Sequence, residues 1–455
     1  MIKKKHILGI SIICFLMINT TAYAASNTGT WKQNSKGWWY EFSDKSYAKN
    51  EFLTIKEKTY YFNQYGYMKT GWLKYNNNWY YFDPTNGYMK TGWQKISNKW
   101  YFFNISGIMI TGWKKLNNNW YYFTTDGYMK TGWLQLKSKW YYFNSEGIMQ
   151  TGWLSKGNKW YFLNNDGSLY IGTKKDNDIT CTFNSDGVLT KATTNSTNKW
   201  NLTGMDLVYM KWVIQNTITS NMSRSDKVQA IHDWVVSNTQ YDTTYKQHDA
   251  HSTLNDHLAV CSGYAYLFNA YMDLLNIPCE YITGYADNGD GNPGSHAWNA
   301  VKLDDDYWYF IDCTFDDPFV NGTSDHIDGS NISYEYFLLS AKSMNKSHIQ
   351  VNKVNPEGTS DKYNEQYIKK LINKRLEEYK IKYEKDGYIA CIITSTNELT
   401  KFINNSKVKT NYAIIVDKTK ISLDTISKTI KNTSHGYSWT SMISNNIIVV
   451  TYTLK

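Results

Sequence analysis

The chain has 455 residues, of which 42% are hydrophobic and 20% are charged, and its formal net charge is +9. A chain of this length is expected to hold about three domains. Its lysines are scattered among asparagines and acids and form no basic stripe, which argues against nucleic acid as a partner. Beyond the N-terminal segment, no stretch of the sequence is apolar for long enough to cross a bilayer.

The N-terminal segment has the pattern of a secretory signal peptide. Lysines from Lys3 to Lys5 precede an apolar stretch from Ile7 to Ile18, and small residues follow up to Ala24. A basic start, a short apolar stretch and an A-x-A-like end are typical of a segment that is cleaved on export. We therefore expect residues 1–24 to be a signal peptide and the protein to be secreted.

Residues 25–190 contain a short aromatic repeat. The motif T-G-W recurs from Gly71-Trp72 to Gly152-Trp153 at intervals of 21, 20, 20 and 20 residues. Each copy is followed by a polar turn, by W-Y-Y-F or a close variant, and by a glycine, which predicts one β-hairpin per repeat. Because one hairpin is marginally stable in water, we expect the hairpins to stack into a solenoid, followed by a polar linker at 191–201.

The aromatic residues of the repeat are too many for a core alone. A strand such as Trp120-Tyr121-Tyr122-Phe123 alternates its side chains and places aromatic rings on both faces. Core packing accounts for one face, and the outer face is expected to bind a ligand. Rings from adjacent hairpins can form a cage for a quaternary ammonium or a platform on which sugar rings stack.

The pattern G-W-x(6)-W-Y-Y-F-x(3)-G-x-M resembles the cell-wall-binding repeats of Gram-positive surface proteins. These include choline-binding modules and the carbohydrate-binding repeats of clostridial toxins. The resemblance implies cages made of the G-W tryptophan, the first aromatic residue of W-Y-Y and a tyrosine of a neighbouring unit. It also implies a cell-wall-associated protein whose partner is a choline-bearing or another polysaccharide, and these alternatives stay open. The implied pairs are Trp72 with Trp79, Trp93 with Trp100, Trp113 with Trp120, Trp133 with Trp140, and Trp153 with Trp160.

Two departures from the repeat pattern mark its ends. Thr59-Tyr60-Tyr61 lacks the first tryptophan of W-Y-Y, and Gly172-Thr173 replaces G-W. We expect these two units to cap the array.

The periodicity becomes helical in residues 202–354, where a second domain is expected. A capping box at Ser223–Asp226 predicts the start of one helix. A second helix is predicted to start near Cys261 and to stop at Asn276 and Pro278. Because unpaired N–H groups at a helix start favour an anion, a thiol there becomes a better nucleophile. The alternative is a buried structural cysteine.

A hairpin is predicted around Asp304-Asp305-Asp306. The runs from His296 to Leu303 and from Tyr307 to Cys313 alternate, and His296 and Asp312 are equidistant from residue 304. A turn centred there would bring the two side chains to one face, roughly 5 Å apart between Cβ atoms. A His–Asp dyad would then be available to a nucleophile. The alternative is that the aspartate pairs with charges on an edge strand and the histidine caps that strand.

These three motifs resemble the transglutaminase-like superfamily, which has an α+β, papain-like fold. The resemblance implies that Cys261 is the nucleophile, His296 the general base and acid, and Asp312 the group that orients the histidine. It implies an acyl-thioester enzyme that acts on peptide or amide bonds, either a cross-linking transglutaminase or a cysteine peptidase. The alternative is a non-catalytic adhesin or peptide-binding protein. The matching segments are Cys261-Ser262-Gly263-Tyr264-Ala265, Gly294 to Val301, and Asp312 to Asp317, and the candidates for an oxyanion donor are Gln240, Tyr241 and Trp234.

Five cysteines follow the predicted signal peptide, so at least one thiol is expected to be unpaired. Cys313 can pair with Cys279 or lie free. The sequence has no C-x-x-C or H-E-x-x-H motif, and we predict no metal and no cofactor.

Residues 355–455 predict a small α/β domain of unknown role. Helices are expected at 363–383 and 399–403, and strands at 388–394, 412–416 and 447–452.

Overall fold

The computed structural model describes residues 28–195, 199–287, 291–317, 332–407, 410–431, 437–444 and 447–454. The predicted signal peptide lies outside the described residues. Among the described helices, none combines the length and hydropathy that a transmembrane span requires. The chain divides into two compact units, one formed by Met1–Thr151 with Leu163–Leu169 and the other by Gly152–Phe162 with Tyr170–Lys455.

The first unit is a series of two-stranded antiparallel hairpins, which confirms the predicted architecture of the repeats. The pairs are β1 (Gly29–Asn34) with β2 (Gly37–Phe42), β3 (Glu51–Ile55) with β4 (Lys58–Phe62), β5 (Gly71–Tyr75) with β6 (Asn78–Phe82), β7 (Gly92–Ile96) with β8 (Lys99–Phe103), β9 (Gly112–Leu116) with β10 (Asn119–Phe123), and β11 (Gly132–Leu136) with β12 (Lys139–Phe143).

The hairpin turns follow from their polar residues. In β9–β10, Leu116 pairs with Asn119, and the two residues between them, Asn117 and Asn118, have φ values of 46° and 66°. Two positive φ angles are typical of a type I′ turn, whose twist matches that of the flanking strands and which asparagine tolerates.

Neighbouring hairpins are joined by buried phenylalanines and backbone hydrogen bonds. Phe123 is fully buried, and the Met129 N–H donates to the Trp100 carbonyl of the preceding hairpin at 2.7 Å. Gly127 has a φ of +83°, and a Cβ there would lie 2.1 Å from the sulfur of Met109. Glycine is therefore required at the turn for the methionine of the previous repeat to pack.

The second unit begins with further strands of the repeat type. β17 extends past residue 190, so the first residues of the predicted linker form a strand. The strands are β13 (Gly152–Lys156) with β14 (Lys159–Leu163), and a three-stranded sheet of β15 (Gly172–Lys175), β16 (Ile179–Phe183) and β17 (Leu189–Thr194).

The helical part that follows packs against a four-stranded antiparallel sheet of order β22-β21-β20-β23. The capping box at Ser223–Asp226 is confirmed at the start of α2. Asn299 of β21 donates from Nδ2 to the Ala265 carbonyl of α4 at 3.1 Å, which fixes that helix on the sheet. The elements are α1 (Gly204–Thr217), α2 (Arg224–Asn238), β18 (Gln240–Tyr241), α3 (Ala250–Asp256), β19 (Leu258–Ala259), α4 (Cys261–Leu274), β20 (Cys279–Ala286), β21 (Gly294–Lys302), β22 (Trp308–Ile311), α5 (Ala341–Met344) and β23 (His348–Gln350).

The predicted hairpin around the triple aspartate forms, but its centre is shifted by one residue. Asn299 pairs with Ile311 and Lys302 with Trp308, so the pairing is symmetric about residue 305, where we predicted 304. The Leu303 N–H donates to the Tyr307 carbonyl at 3.1 Å, which continues this pairing and leaves Asp304, Asp305 and Asp306 as the turn.

The C-terminal part is a sheet of order β24-β25-β27-β26 with helices on both faces, as predicted for a small α/β domain. α6 packs on one face, and α7 and α8 pack on the other. α8 and β26 were not predicted from the sequence. The elements are α6 (Lys362–Lys385), β24 (Ile389–Ile392), α7 (Thr396–Asn404), β25 (Asn411–Asp417), α8 (Leu423–Lys431), β26 (Tyr437–Ser444) and β27 (Ile447–Leu454).

Candidate active site

Cys261 is the first residue of α4, at the position predicted for it. The preceding residue, Val260, provides no side-chain cap, and its carbonyl accepts the N–H groups of Gly263 and Tyr264 at 2.9 and 3.3 Å. Cys261 is a free thiol of intermediate exposure. Two residues further on, a Cβ at Gly263 would lie 2.5 Å from Thr253 Oγ1 and 2.7 Å from Ala259 Cβ. The glycine therefore lets α3 and β19 approach the start of α4.

His296 and Asp312 lie in direct contact beside this helix start. His296 Nε2 is 2.6 Å from Asp312 Oδ2, and His296 and Cys261 line the same cleft. The other carboxylate oxygen of Asp312 accepts the backbone N–H groups of Thr314 and Phe315 at 2.9 and 3.2 Å. Asp312 is fully buried. We call Cys261, His296 and Asp312 the thiol site.

The charges of the thiol site support one another. Burial alone would lower the pKa of His296, but the field and hydrogen bond of Asp312, together with Cys261, outweigh it and raise this pKa to about 10. Burial would raise the pKa of Asp312, but His296 and His348 outweigh it and hold this pKa well below its usual range. At neutral pH, the site therefore combines an imidazolium with a carboxylate.

The structure adds a residue that sequence reasoning missed, His348. Its Nε2 lies 3.0 Å from the same Asp312 oxygen, Oδ2, that binds His296. His348 is 1% exposed and starts β23, the edge strand that pairs with β20. No motif surrounds this histidine in the sequence, and only the pairing of a three-residue strand brings it to the thiol site.

A cleft of about 450 Å³ opens over Cys261 and His296. Its walls carry the tyrosines Tyr241, Tyr245, Tyr281 and Tyr285, and no lysine, arginine or carboxylate lines it among the described residues. The cleft therefore suits an uncharged segment of a substrate.

Of the three candidates for an oxyanion donor, only Tyr241 lines this cleft. Burial, with a smaller contribution from Cys261, raises the pKa of Tyr241 to about 12, so its hydroxyl keeps its proton and can donate. Trp234 packs instead against Tyr209 and Tyr271, and Gln240 is exposed outside the cleft.

One group of metal-type ligands is present among the described residues. The donor atoms of His296, Asp312 and His348 lie within 4.8 Å of one another. Both imidazoles already contact the carboxylate at hydrogen-bond distance, so hydrogen bonding accounts for this cluster.

The sequence left open whether Cys279 and Cys313 form a disulfide, and in the structure they do not. Cys279 and Cys313 are both buried as thiols. Burial raises the pKa of each well above its usual value, so both stay protonated.

Aromatic cages recur along the first unit. The Trp72 ring lies 6.1 Å from Trp79 and 5.0 Å from Tyr101, with interplanar angles of 90° and 66°. These three rings line a cavity of about 350 Å³ together with Met109 and Asp126. The same arrangement is found in Trp93 with Trp100 and Tyr121, in Trp113 with Trp120 and Tyr141, and in the pair Trp133 with Trp140.

The prediction that Trp153 and Trp160 form the last cage is wrong. Trp153 is 7% exposed and packs on Phe162 and Phe183. Trp160 packs on Trp212 of α1. Both rings are therefore used in packing and do not form an open cage.

A further cage at the start of the array was missed. The Trp31 ring lies 6.5 Å from Trp38 and 4.9 Å from Tyr60. In the next unit, Thr59 takes the place of the outer tryptophan, and Phe52 packs on Tyr80. The sequence signal was available, since Trp31 and Trp38 have the same spacing as the other pairs.

A second buried charged network lies below the thiol site. His232 of α2 is fully buried, with Nε2 3.1 Å from Asp316 and Nδ1 3.0 Å from Asp233. Although burial opposes the charge, the two carboxylates raise the pKa of His232 to about 9. Burial raises the pKa of Asp316 to about 6 against the pull of His232. Between these values both groups are charged and bind α2 to the segment after Asp312.

Replacing His232 with alanine should destabilise this domain by about 3–5 kcal/mol, because Asp316 would remain buried without its counter-charge. Urea unfolding between pH 6 and 9, followed by circular dichroism, measures the loss. His248→Ala is the control, since that histidine is exposed, and it should leave the free energy of unfolding nearly unchanged. Equal stability of the two variants would contradict a structural role for the buried pair.

Comparisons with known proteins match both parts of the chain. A family model described as the transglutaminase-like superfamily matches residues 213–313. A second, described as a choline-binding repeat, matches residues 50–91, 90–130 and 130–173. No curated protein matches the chain.

Three solved structures of pneumococcal and phage proteins are similar to parts of the chain. CbpJ from Streptococcus pneumoniae TIGR4 is 31% identical over 39% of this chain and 70% of its own, with a TM-score of 0.35. Choline binding protein F from Streptococcus pneumoniae, in the presence of a peptidoglycan analogue, is 35% identical over 36% and 58%, with a TM-score of 0.33. A multimodular pneumococcal cell wall endolysin from phage Cp-1, complexed with choline, is 40% identical over 31% and 37%, with a TM-score of 0.20.

Proposed function

Because this chain belongs to the choline-binding repeat family over residues 50–173 and to the transglutaminase-like superfamily over residues 213–313, we propose that it is a cell-wall-attached thiol enzyme acting on amide bonds. The observation that carries the proposal is the arrangement at the start of α4, where Cys261 and His296 line one cleft and His296 contacts Asp312 at 2.6 Å.

The reaction starts with an ion pair between the Cys261 sulfur and the His296 imidazolium. The thiolate attacks an amide carbonyl carbon, a C–S bond forms, and the carbonyl oxygen becomes an oxyanion. Backbone N–H groups at the start of α4 and the Tyr241 hydroxyl are in position to stabilise it. His296 then gives its proton to the leaving amine, and the C–N bond breaks to leave a thioester on Cys261.

The second half of the reaction decides the class of enzyme. His296, now neutral, takes a proton from an incoming amine or from water, which attacks the thioester and releases the thiolate. An amine gives transamidation and cross-linking, whereas water gives hydrolysis. Both use the same thiol site.

A labelled primary amine separates these outcomes. The chain is incubated with the amine and a glutamine-containing protein or wall peptides, and the products are analysed by mass spectrometry. An amine adduct indicates transamidation, and cleaved or deamidated products indicate hydrolysis. If neither appears and no thioester forms on Cys261, the chain is a non-catalytic binding protein.

We propose that the repeats hold the enzyme on choline-bearing wall polymer after secretion. In support, the outer rings Trp79, Trp100, Trp120 and Trp140 are each 40–42% exposed at the mouths of their cages. A cage of aromatic faces attracts a quaternary ammonium by about 0.5–2 kcal/mol per contact.

Replacing these four outer tryptophans and Trp38, the outer ring of the first cage, with alanine should abolish retention on a choline resin, because each cage then keeps only its inner rings. The affinity for choline, measured by calorimetry, should fall more than tenfold. Tyr65→Ala is the control, since that ring is 70% exposed and should not contribute. If the unmodified chain does not bind choline but binds purified wall glycan through the same tryptophans, the rings are platforms for sugar stacking and the choline assignment is wrong.

A further inference from the structure

His348 is enclosed by the aromatic residues around the thiol site. Its ring centre lies 4.8 Å from that of Trp298, 5.1 Å from Phe315 and 5.3 Å from Tyr336. The ring of His296 is 5.6 Å away. Because His348 is only 1% exposed, its hydrogen bonds are formed with protein groups in a dry environment.

The hydrogen bonds define what His348 can do. An ionised carboxylate only accepts, so the Nε2 of His348, 3.0 Å from Asp312 Oδ2, donates. Its Nδ1 lies 2.8 Å from the Ser347 hydroxyl, which can donate to the unprotonated nitrogen. Both ring nitrogens of His348 therefore have a hydrogen-bond partner.

Asp312 receives hydrogen bonds on both of its oxygens. Oδ1 binds the backbone N–H groups of Thr314 and Phe315, and Oδ2 binds the imidazoles of His296 and His348. The backbone bonds fix one oxygen, and His348 fixes the direction of the other. Without His348, the carboxylate could rotate about the bonds to Oδ1, and its contact with His296 would be less well defined.

We propose that His348 is a positioning residue that holds the Asp312 carboxylate in the orientation in which it binds and orients His296. This inference rests on the proposed thiol chemistry and deepens it, since it extends the hydrogen-bonded pair of His296 and Asp312 to the edge strand β23. Three observations support this inference. His296 and His348 contact the same oxygen of Asp312, Asp312 and His348 are buried, and the Ser347 hydroxyl contacts the second ring nitrogen of His348.

Two substitutions of His348 separate positioning from packing. His348→Phe fills the same aromatic environment but removes the donor to Asp312. His348→Gln keeps an N–H donor of similar reach. Ile349→Thr is the matched control, because this neighbour on β23 is 61% exposed and lies outside the cleft lining.

We expect His348→Phe to lower kcat by about 10- to 100-fold with little change in KM, as is seen when the partners that orient a functional histidine are removed. His348→Gln should restore much of the loss, and Ile349→Thr should behave as the unmodified chain. Circular dichroism and the thermal midpoint show whether each variant remains folded.

The pH dependence of kcat/KM adds a readout that packing alone would not change. The titratable and polar groups that face His348 are Asp312, His296, Tyr336 and the Ser347 hydroxyl. His348→Phe removes one of the two imidazole donors that stabilise the ionised Asp312, so the acid limb of the profile should move to higher pH.

The outcomes distinguish this inference from the proposed function. If the unmodified chain alkylates rapidly at Cys261 and turns over amides, while a folded His348→Phe variant matches it in kcat and pH profile, the positioning role is overturned and the thiol chemistry stands. Equal losses in His348→Phe and His348→Gln would also overturn it. If the unmodified chain shows neither rapid alkylation nor turnover, the proposed function fails and this inference fails with it.

Discussion

Replacing Cys261 with alanine is expected to lower amide turnover by on the order of 10⁶-fold, the loss typical of removing a covalent nucleophile. In the proposed mechanism Cys261 forms the thioester, and no other thiol among the described residues lines its cleft. The substitution removes a half-exposed sulfur and should leave the fold intact. Turnover of a glutamine-containing substrate, measured as ammonia release and as amine incorporation, gives the result directly.

The reactivity of the thiol provides a second measurement that needs no substrate. Cys261, beside the imidazolium of His296, should react with iodoacetamide much faster than Cys391, the other thiol of intermediate exposure. Burial raises the pKa of Cys391, so it should react slowly.

Cys391→Ala is accordingly the matched control for loss of a thiol. It should retain both turnover and the fast alkylation phase, whereas Cys261→Ala should lose both and still bind choline resin through the repeats. Turnover that survives in Cys261→Ala would mean that the chemistry lies elsewhere in the chain, or that the activity comes from a contaminant.

The repeats were predictable because the residues that determine each hairpin lie close together in the sequence. Asn117 and Asn118 tolerate the positive φ angles of a tight hairpin turn, and alternation of aromatic residues fixes the strands on either side. The burial of Trp153 was not predictable from its own repeat, which keeps the T-G-W and W-Y motifs of the others. Its ring is buried because the strands of its hairpin pack against α1, a contact between segments far apart in sequence.

The thiol site was predictable in part for the same reason. Cys261 follows from a helix start, and the pairing of His296 with Asp312 follows from an alternating hairpin. The centre of the turn was wrong by one residue and the register therefore by two, because the pairing follows the three-residue turn Asp304–Asp306 and not the symmetry of His296 and Asp312. The contact survives this shift, because residues two apart on one face are still within reach across a strand pair.

His348 could not be predicted in this way. Its strand has three residues, and it reaches the site only by pairing Ala286 with His348 at the edge of the sheet. Such a contact depends on the assembled core, so a single sequence carries little signal for it. Tyr241 was one of three candidates from the sequence, and its place in the cleft depends on the parallel pairing of β18 with β19.

Replacing Asp312 with asparagine is expected to lower kcat by about 10⁴-fold, through the protonation state of His296. The amide can keep the Thr314 and Phe315 N–H bonds with its oxygen, and its NH₂ group then faces His296 Nε2. Two donors cannot bind each other, so His296 must take the tautomer in which Nε2 accepts and Nδ1 carries the proton. A protonated Nδ1 cannot take the proton of Cys261.

The pH profile tests this account with a defined sign. Asp312 contributes most to raising the pKa of His296 to about 10. The imidazolium of the unmodified chain should therefore persist until the pH rises through that value. Without the carboxylate charge, this pKa falls towards the ordinary value of about 6.5, and the alkaline limb should move to lower pH. Asp306→Asn is the control, since its side chain is 85% exposed in the turn of the same hairpin. An Asp312→Asn variant with near-normal kcat and an unmoved alkaline limb would show that the carboxylate neither orients nor charges His296, and the assignment of a Cys–His–Asp enzyme would then fail.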